Sequence, residues 1–181
     1  MRTIVQEGHP ILRSRAEEIP VEDIRTVQVQ NLIQDMIETL AHERLGAALA
    51  APQIAESYRI FVVSPDVLEK MSNGKNNKPL VCINPEIISR SKAREELHEG
   101  CLSLRGWWGY VLRSDKVTLR AYDEHGKEFE RGASGLLAQI FQHEVDHLNG
   151  KLYIDNAHDM HTDEELKRRE EAGIHGKQKK Q

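Results

Sequence analysis

The chain has 181 residues, the length of one domain able to bury a core without disulfides. Its 25 basic and 29 acidic residues leave a net charge of −4, which excludes the basic footprint of a bulk nucleic-acid binder, DNA included, and no stretch has the apolar length of a membrane span. Two cysteines in unlike surroundings make no disulfide framework and the first twenty residues lack the apolar run of a signal peptide, so the expected setting is a soluble protein in a reducing cytoplasm.

In chain order, residues 24–43 carry Ile24, Val27, Leu32, Ile33, Met36, Ile37 and Leu40 at helical spacing, which predicts a first helix whose apolar stripe is core packing. It delivers the chain to a run of small residues, Gly46-Ala47-Ala48-Leu49-Ala50-Ala51-Pro52-Gln53. Strands rich in Val, Ile and Leu are predicted over 58–63, 80–88 and 111–122, with Asp123-Glu124-His125-Gly126 as a hairpin turn before 127–131. The polar residues Ser72 to Pro79 predict a mobile loop. From Ser134, the residues Leu136, Leu137, Ile140, Phe141, Val145 and Leu148 recur at three- and four-residue spacing, so a second amphipathic helix is predicted, capped by Ser134 and ended by Gly150. Residues 163–172 predict a charged helix stopped by Gly173, then a solubilising Lys-rich tail with Lys177, Lys179 and Lys180. This change of character divides the chain into residues 1–158 and an extension over 159–181. Antiparallel strands around a helix predict an α+β fold.

The chemistry lies in Gln142-His143-Glu144-Val145-Asp146-His147. Residues i and i+4 share one helical face, so His143 and His147 can grip one metal ion, with Glu144 beside them as a base for an activated water. A hydrolytic site needs a third protein ligand and one open position. A His six residues beyond the second is absent, since that position is Tyr153. Glu164 or Glu165 would serve in a zinc peptidase, although a solvated charged helix accounts for them more simply. Cys101 is the better candidate, because a thiolate binds zinc or iron strongly and its neighbours Glu99, Gly100 and Ser103 do not suit a cysteine that is merely core. Cys82, inside Leu80-Val81-Cys82-Ile83, does suit the core.

Three ordered blocks now stand together: Gly46 to Gln53, Glu99-Gly100-Cys101-Leu102-Ser103, and Gln142 to His147. In their order and spacing the chain resembles the peptide deformylases, which remove the formyl group from the N-terminal methionine of new polypeptides. The resemblance covers roughly residues 1–155. It implies an α+β fold with antiparallel sheets around a central metal-binding helix, and Cys101, His143 and His147 as ligands of one divalent ion. By the same resemblance Glu144 moves the proton, the Gln53 amide and the Leu102 backbone N–H face the developing oxyanion, and Gly46, Ala47, Ala48, Glu99, Gly100 and Ile140 contact substrate. Ferrous iron is the metal it favours, while the ligand set also suits zinc, nickel or cobalt. It implies formyl-methionyl nascent peptides as partners and extends to a contact of the C-terminal tail with the ribosome.

The chain departs from the family pattern at Ala48, where a second Gly is commoner, and at Arg105, where a Pro is common. A Cβ at 48 narrows the path of a substrate backbone, and Arg105 with Trp107 and Trp108 alters the rim. Two other readings differ in class: the zinc peptidase using Glu164 or Glu165, and a deformylase-like binding protein with a structural metal. Glu144 argues against the latter, since a structural site needs no base. Glu99 and Arg113, either side of the two tryptophans, are expected to pair and hold the Cys101 segment.

Overall fold

The computed structural model describes residues 1–71 and 78–171. Helix α1 (Val27–Ala41) is followed by β1 (Ala48–Ala50), β2 (Ile60–Val63), α2 (Pro65–Met71), β3 (Leu80–Arg90), β4 (Arg94–Cys101), β5 (Leu104–Ser114), β6 (Lys116–Tyr122), β7 (Glu128–Ser134), α3 (Gly135–Leu148), β8 (His158–Thr162) and α4 (Asp163–Glu171). The strands form two antiparallel sheets, one of order β1-β2-β3-β6-β7 and one of order β4-β5-β8. This is the expected α+β architecture.

The five-stranded sheet is buried on both faces where β1, β2 and the start of β3 are apolar in both alternating registers, whereas β6 and β7 alternate inward residues with exposed ones. On β2, Phe61 and Val63 point to the core shared with α3, while Ile60 and Val62 point to the core shared with α1. Cys82 on β3 joins the first core and Val81 and Ile83 the second. Helix α1 presents Leu32, Ile33, Met36 and Leu40 to this sheet, as its periodicity predicts. Helix α3 presents Leu137, Phe141, Val145 and Leu148, with Phe141 tilted against Phe61 at 5.9 Å between ring centroids. Each such fully buried side chain contributes about 1.5–3 kcal/mol, so this face sets the rotation of α3 and turns His143 and His147 toward the smaller sheet.

Polar contacts hold α3 along its side and at its C-terminal end. The Gln142 amide brackets Ser114, accepting from its N–H at 3.0 Å and donating to its carbonyl at 3.0 Å, which docks α3 on the end of β5. At the C-terminal end the buried Arg59 guanidinium donates to Leu148 O at 3.1 Å, Asn149 Oδ1 at 3.0 Å and Pro85 O at 3.1 Å. A cation at a helix C-terminus also suits the helix dipole.

Several expectations needed correction. The predicted strand 111–122 is two strands in different sheets, since the chain turns at Asp115, whose N–H bonds to Ala93 O at 3.1 Å. Strand β4, with the sequence Arg-Glu-Glu-Leu-His-Glu-Gly-Cys, was not expected, because five charged or imidazole side chains hide its alternation. Ser134 precedes α3 but its side chain makes no cap hydrogen bond. Gly150 does lie just past the helix, at φ +71°, where a Cβ would meet Arg13 O at 2.6 Å. The expected division at residue 158 falls on the first residue of β8, which completes the smaller sheet by pairing with β5. Residues 72–77 of the predicted loop, and Gly173, Lys177, Lys179 and Lys180, lie outside the described residues. Among the described residues no helix is long and apolar enough to cross a membrane.

Replacing Arg59 by Met is expected to destabilise the fold by about 1–3 kcal/mol, the cost of leaving buried carbonyls without a donor. Urea denaturation would read it; an unchanged midpoint would mean that these carbonyls are served by water.

Candidate metal centre

Strand β4 ends at Cys101, where a register shift after Gly100 breaks the ladder with β5 and turns the thiol toward α3. One ligand atom from each of Cys101, His143 and His147 lies within 4.8 Å of the others, and this is the metal-type cluster found among the described residues. The Cys101 Sγ is 3.2 Å from His147 Nε2, and the two imidazoles stand edge to face at 4.9 Å. Burial works against ionising the thiol, but the charges and hydrogen bonds of His147 and His143 prevail and hold it at about 5. A thiolate with two imidazoles fits a borderline divalent ion such as zinc or ferrous iron.

Behind the ligands is a relay of charges. Burial pushes the Glu99 carboxyl up, yet bonds from Arg113 and His143 outweigh it and bring the group to about 2. Arg113 grips Glu99 in bidentate fashion, Nε to Oε1 at 2.8 Å and Nη2 to Oε2 at 2.9 Å, with side-chain exposures of only 8% and 3%. Its Nη1 reaches Asp146 Oδ2 at 2.5 Å on α3. Glu99 Oε2 takes the Nδ1–H of His143 at 2.9 Å, so that ring offers Nε2 to the site. The expected Glu99–Arg113 pair is present and buried. The Glu99 carboxylate is thus turned to Arg113 and His143, although the residue borders the cleft. On His147 the buried Nδ1 has no partner among the described residues.

The groups expected to act on substrate lie in front. Glu144 is buried, its Oε2 has no hydrogen-bond partner among the described residues, and burial raises its carboxyl above the ordinary value. Gln53 sits in a 3-10 turn, Ala51–Ile54; its Oε1 accepts from Ala50 N at 2.8 Å, which fixes the amide so that Nε2 faces Cys101 Sγ at 3.5 Å and Ser103 Oγ at 3.3 Å. Glu144 and Gln53 border a cleft of about 580 Å³, together with Ala47, Ala48, Gly100, Leu102 and Ile140. Gly46 is not on its wall: a Cβ there would meet Leu40 Cδ1 at 2.7 Å, so it serves packing against α1. Glu164 and Glu165 are not brought to the imidazoles; Glu165 accepts from Thr162 N at 2.8 Å and the Glu164 side chain is exposed beside Arg168.

Sequence reasoning missed Ser103, whose N–H also points at Cys101 Sγ at 3.4 Å, and Asp146, the helix end of the relay. Asp146 had a local signal, an acid inside the histidine motif, but its partner is 33 positions away. It also missed Tyr153, stacked near His143 at 6.1 Å.

Because its folded value lies below the ordinary 4.5, Glu99 contributes stability that is complete above that pH and is lost as the pH falls toward 2. In urea denaturation with chelator present, the stability advantage over a Glu99→Gln variant is therefore expected to shrink below about pH 5. An advantage independent of pH would show that the carboxylate is not held in its charged form by folding. Arg113→Met, which leaves a buried carboxylate without its cation, is expected to cost about 3–5 kcal/mol at neutral pH.

A family model described as polypeptide deformylase matches residues 1–163. A peptide deformylase of Thermomicrobium roseum is 44% identical over 164 residues, covering 90% of this chain and 89% of that protein. One of Halothermothrix orenii is 43% identical, over 82% of this chain and 88% of the relative. Among solved structures, a peptide deformylase from Legionella pneumophila superposes with a TM-score of 0.77 at 37% identity, covering 96% of this chain and 92% of that one. That from Thermotoga maritima gives 0.74 at 35% identity, over 86% and 97%.

Proposed function

Since the chain belongs to the peptide deformylase family, and so is a metal-dependent hydrolase of N-formylated polypeptides, we propose that Cys101, His143 and His147 hold its metal and that Glu144 and Gln53 carry the chemistry. The convergence of those three ligand atoms beside a cleft bordered by Cys101, His143 and the buried Glu144, whose Oε2 has no partner among the described residues, carries this reading. When bound, a divalent ion supplies a Lewis acid that makes water acidic enough to give hydroxide near neutral pH.

The remaining steps belong to the protein. Glu144 accepts the proton lost by water and delivers it to the amine as the C–N bond of the formamide breaks, so that formate and a free N-terminus leave. A carboxyl raised by burial is a better base and a usable acid. The Gln53 Nε2, aimed by the Ala50 N–H, donates to the formyl oxygen as it gains charge; the Leu102 N–H is the second donor in this reading. Glu99 acts through His143 by fixing its ring and tautomer. The cleft takes the methionine and the start of the peptide, bordered by Ala47, Ala48, Gly100 and Ile140.

Ferrous iron is the native metal we favour, and the cytoplasm the compartment, in keeping with the free Cys82 and Cys101. The peptide partners are formylated chains as they are made. The lysines at 177, 179 and 180 supply the charge that a contact with ribosomal RNA would use.

Glu144→Gln is expected to retain metal and to lose about two to four decades of formate release from a formyl-methionyl peptide, the usual loss for a missing acid–base group. Metal counting and a formate assay on anaerobically purified protein decide it; near-normal turnover would remove Glu144 from the mechanism. Cys101→Ala should lose the metal itself. Protein loaded with iron is expected to lose activity in air faster than protein loaded with zinc, because zinc has no redox chemistry whereas iron brings oxygen species against the Cys101 sulfur. Equal decay with an unmodified Cys101 peptide in mass spectrometry would contradict that.

A further inference from the structure

A second cavity, of about 860 Å³, shares no wall residue with the metal cleft. It lies between the segment from Arg15 to Val21, the part of β3 where the ladder to β6 slips between Ile83 and Glu86, the end of β6, and Val145 and Asn149 at the C-terminal end of α3. Its size falls in the range of about 300–1,000 Å³ that encloses small organic ligands.

Arg59 is the buried cation of this wall, and it forms no ion pair among the described residues. Its Nη1 serves Leu148 O and Asn149 Oδ1 and its Nη2 serves Pro85 O, all three neutral acceptors. A guanidinium has five N–H donors, so the Nε–H and one Nη2–H have no acceptor among the described residues. Nε and Nη2 form the edge by which Arg113 grips Glu99, the geometry that suits a carboxylate. Burial disfavours the charge of Arg59, and Arg15 does so next, ahead of the opposing effects of Glu18 and Glu86. Arg15 borders the same cavity, is exposed, and makes no hydrogen bond or ion pair among the described residues. Two like charges facing one space, with no acid closed on either, are relieved by an incoming oxyanion.

The remaining charges divide the wall. Arg90 donates to Gln142 Oε1 at 3.2 Å, and Arg120 donates twice to Glu130 Oε1, at 3.0 and 3.1 Å. Glu18, Glu86 and Glu128 also border the cavity, and none of them forms an ion pair among the described residues. Glu86 stands opposite Arg120 in the ladder, and both Glu86 and Glu128 act on Arg120 after Glu130 has bonded it, so this part of the wall is acidic. A cavity that holds opposite charges without closing them on one another is complementary to a ligand that carries both.

We propose that this cavity is a binding site for a short zwitterionic peptide, whose C-terminal carboxylate is taken by Arg15 and Arg59 and whose ammonium faces Glu86 and Glu128. The site is separate from the metal centre and stands whether or not the deformylase reading does.

The probe is triglycine, titrated into zinc-loaded protein and followed by backbone amide NMR. Saturable shifts are expected at Arg15, Asn84 and Tyr122 and not at Gly100 and Leu102 in the metal cleft. Arg15→Ala, N-acetyl-triglycine and triglycine amide should each weaken binding about tenfold or more, the scale of one lost contact to a charged group. The double variant Glu86→Gln, Glu128→Gln should weaken triglycine likewise and leave the affinity for N-acetyl-triglycine unchanged. No saturable shift at millimolar triglycine, shifts confined to the metal cleft, or binding indifferent to Arg15→Ala overturns the proposal. Inorganic phosphate is titrated in parallel: if it shifts the same amides and binds more tightly than triglycine, the wall is a plain anion site and the zwitterionic ligand is wrong.

Discussion

The pair between Glu99 and Arg113 is the constraint on which the site depends. Both charges are taken out of water, a large penalty that only close, bidentate geometry and further hydrogen bonds offset. Here each spare valence has a partner: Arg113 also reaches Asp146 on α3, and Glu99 also holds His143 on the same helix. The network therefore joins β4, β5 and α3, which are the elements that carry the thiol and the two imidazoles. Its local consequence is chemical as well as mechanical. With Nδ1 donating to Glu99, His143 presents the lone pair of Nε2 to the space it shares with Cys101 and His147.

Apolar packing supplies what this network cannot. Charges specify a register only when the helix already lies at the right depth and rotation, and those are set by Leu137, Phe141, Val145 and Leu148 against the five-stranded sheet. The opposite face of β1, β2 and the start of β3 is covered by α1, which keeps this part of the sheet buried on both sides. Helix α3 thus has one face committed to the core and the other to the site, with Gln142 and Arg59 fastening its sides and end. Within this frame the Glu144 Oε2 and the His147 Nδ1 are both buried without a hydrogen-bond partner among the described residues.

The smaller sheet does different work. Strand β4 brings Cys101 to the metal centre on one face and His98 and the bare backbone of Gly100 to an aromatic cluster with Trp108 on the other. Strand β8 and α4, which read in the sequence as the beginning of a charged tail, supply His161 and Asp163 to that cluster. The cleft consequently has two kinds of wall: a polar interior built on α3 and an apolar mouth built on β5 and the C-terminal segment.

The amino-acid sequence by itself determined the helix that carries His143, Glu144 and His147, the first helix, the most apolar strands and, through three ordered blocks, the candidate chemistry, because each of these is written in spacing along the chain. Helical and strand periods are local, and so is the i, i+4 placement of two imidazoles. The division of 111–122 between two sheets, the charged strand β4, the lack of a bond from Ser134, the packing role of Gly46 and the bond from the Trp108 indole to Asp163 were decided only by tertiary structure. In each case the deciding partner is distant in sequence or lies on another element: Asp163 for Trp108 at a separation of 55, Asp146 for Arg113 at 33, Leu40 for Gly46 on α1. A hydrogen bond or a close contact of that kind depends on how two elements come to lie side by side, and the periodicity of neither element encodes it.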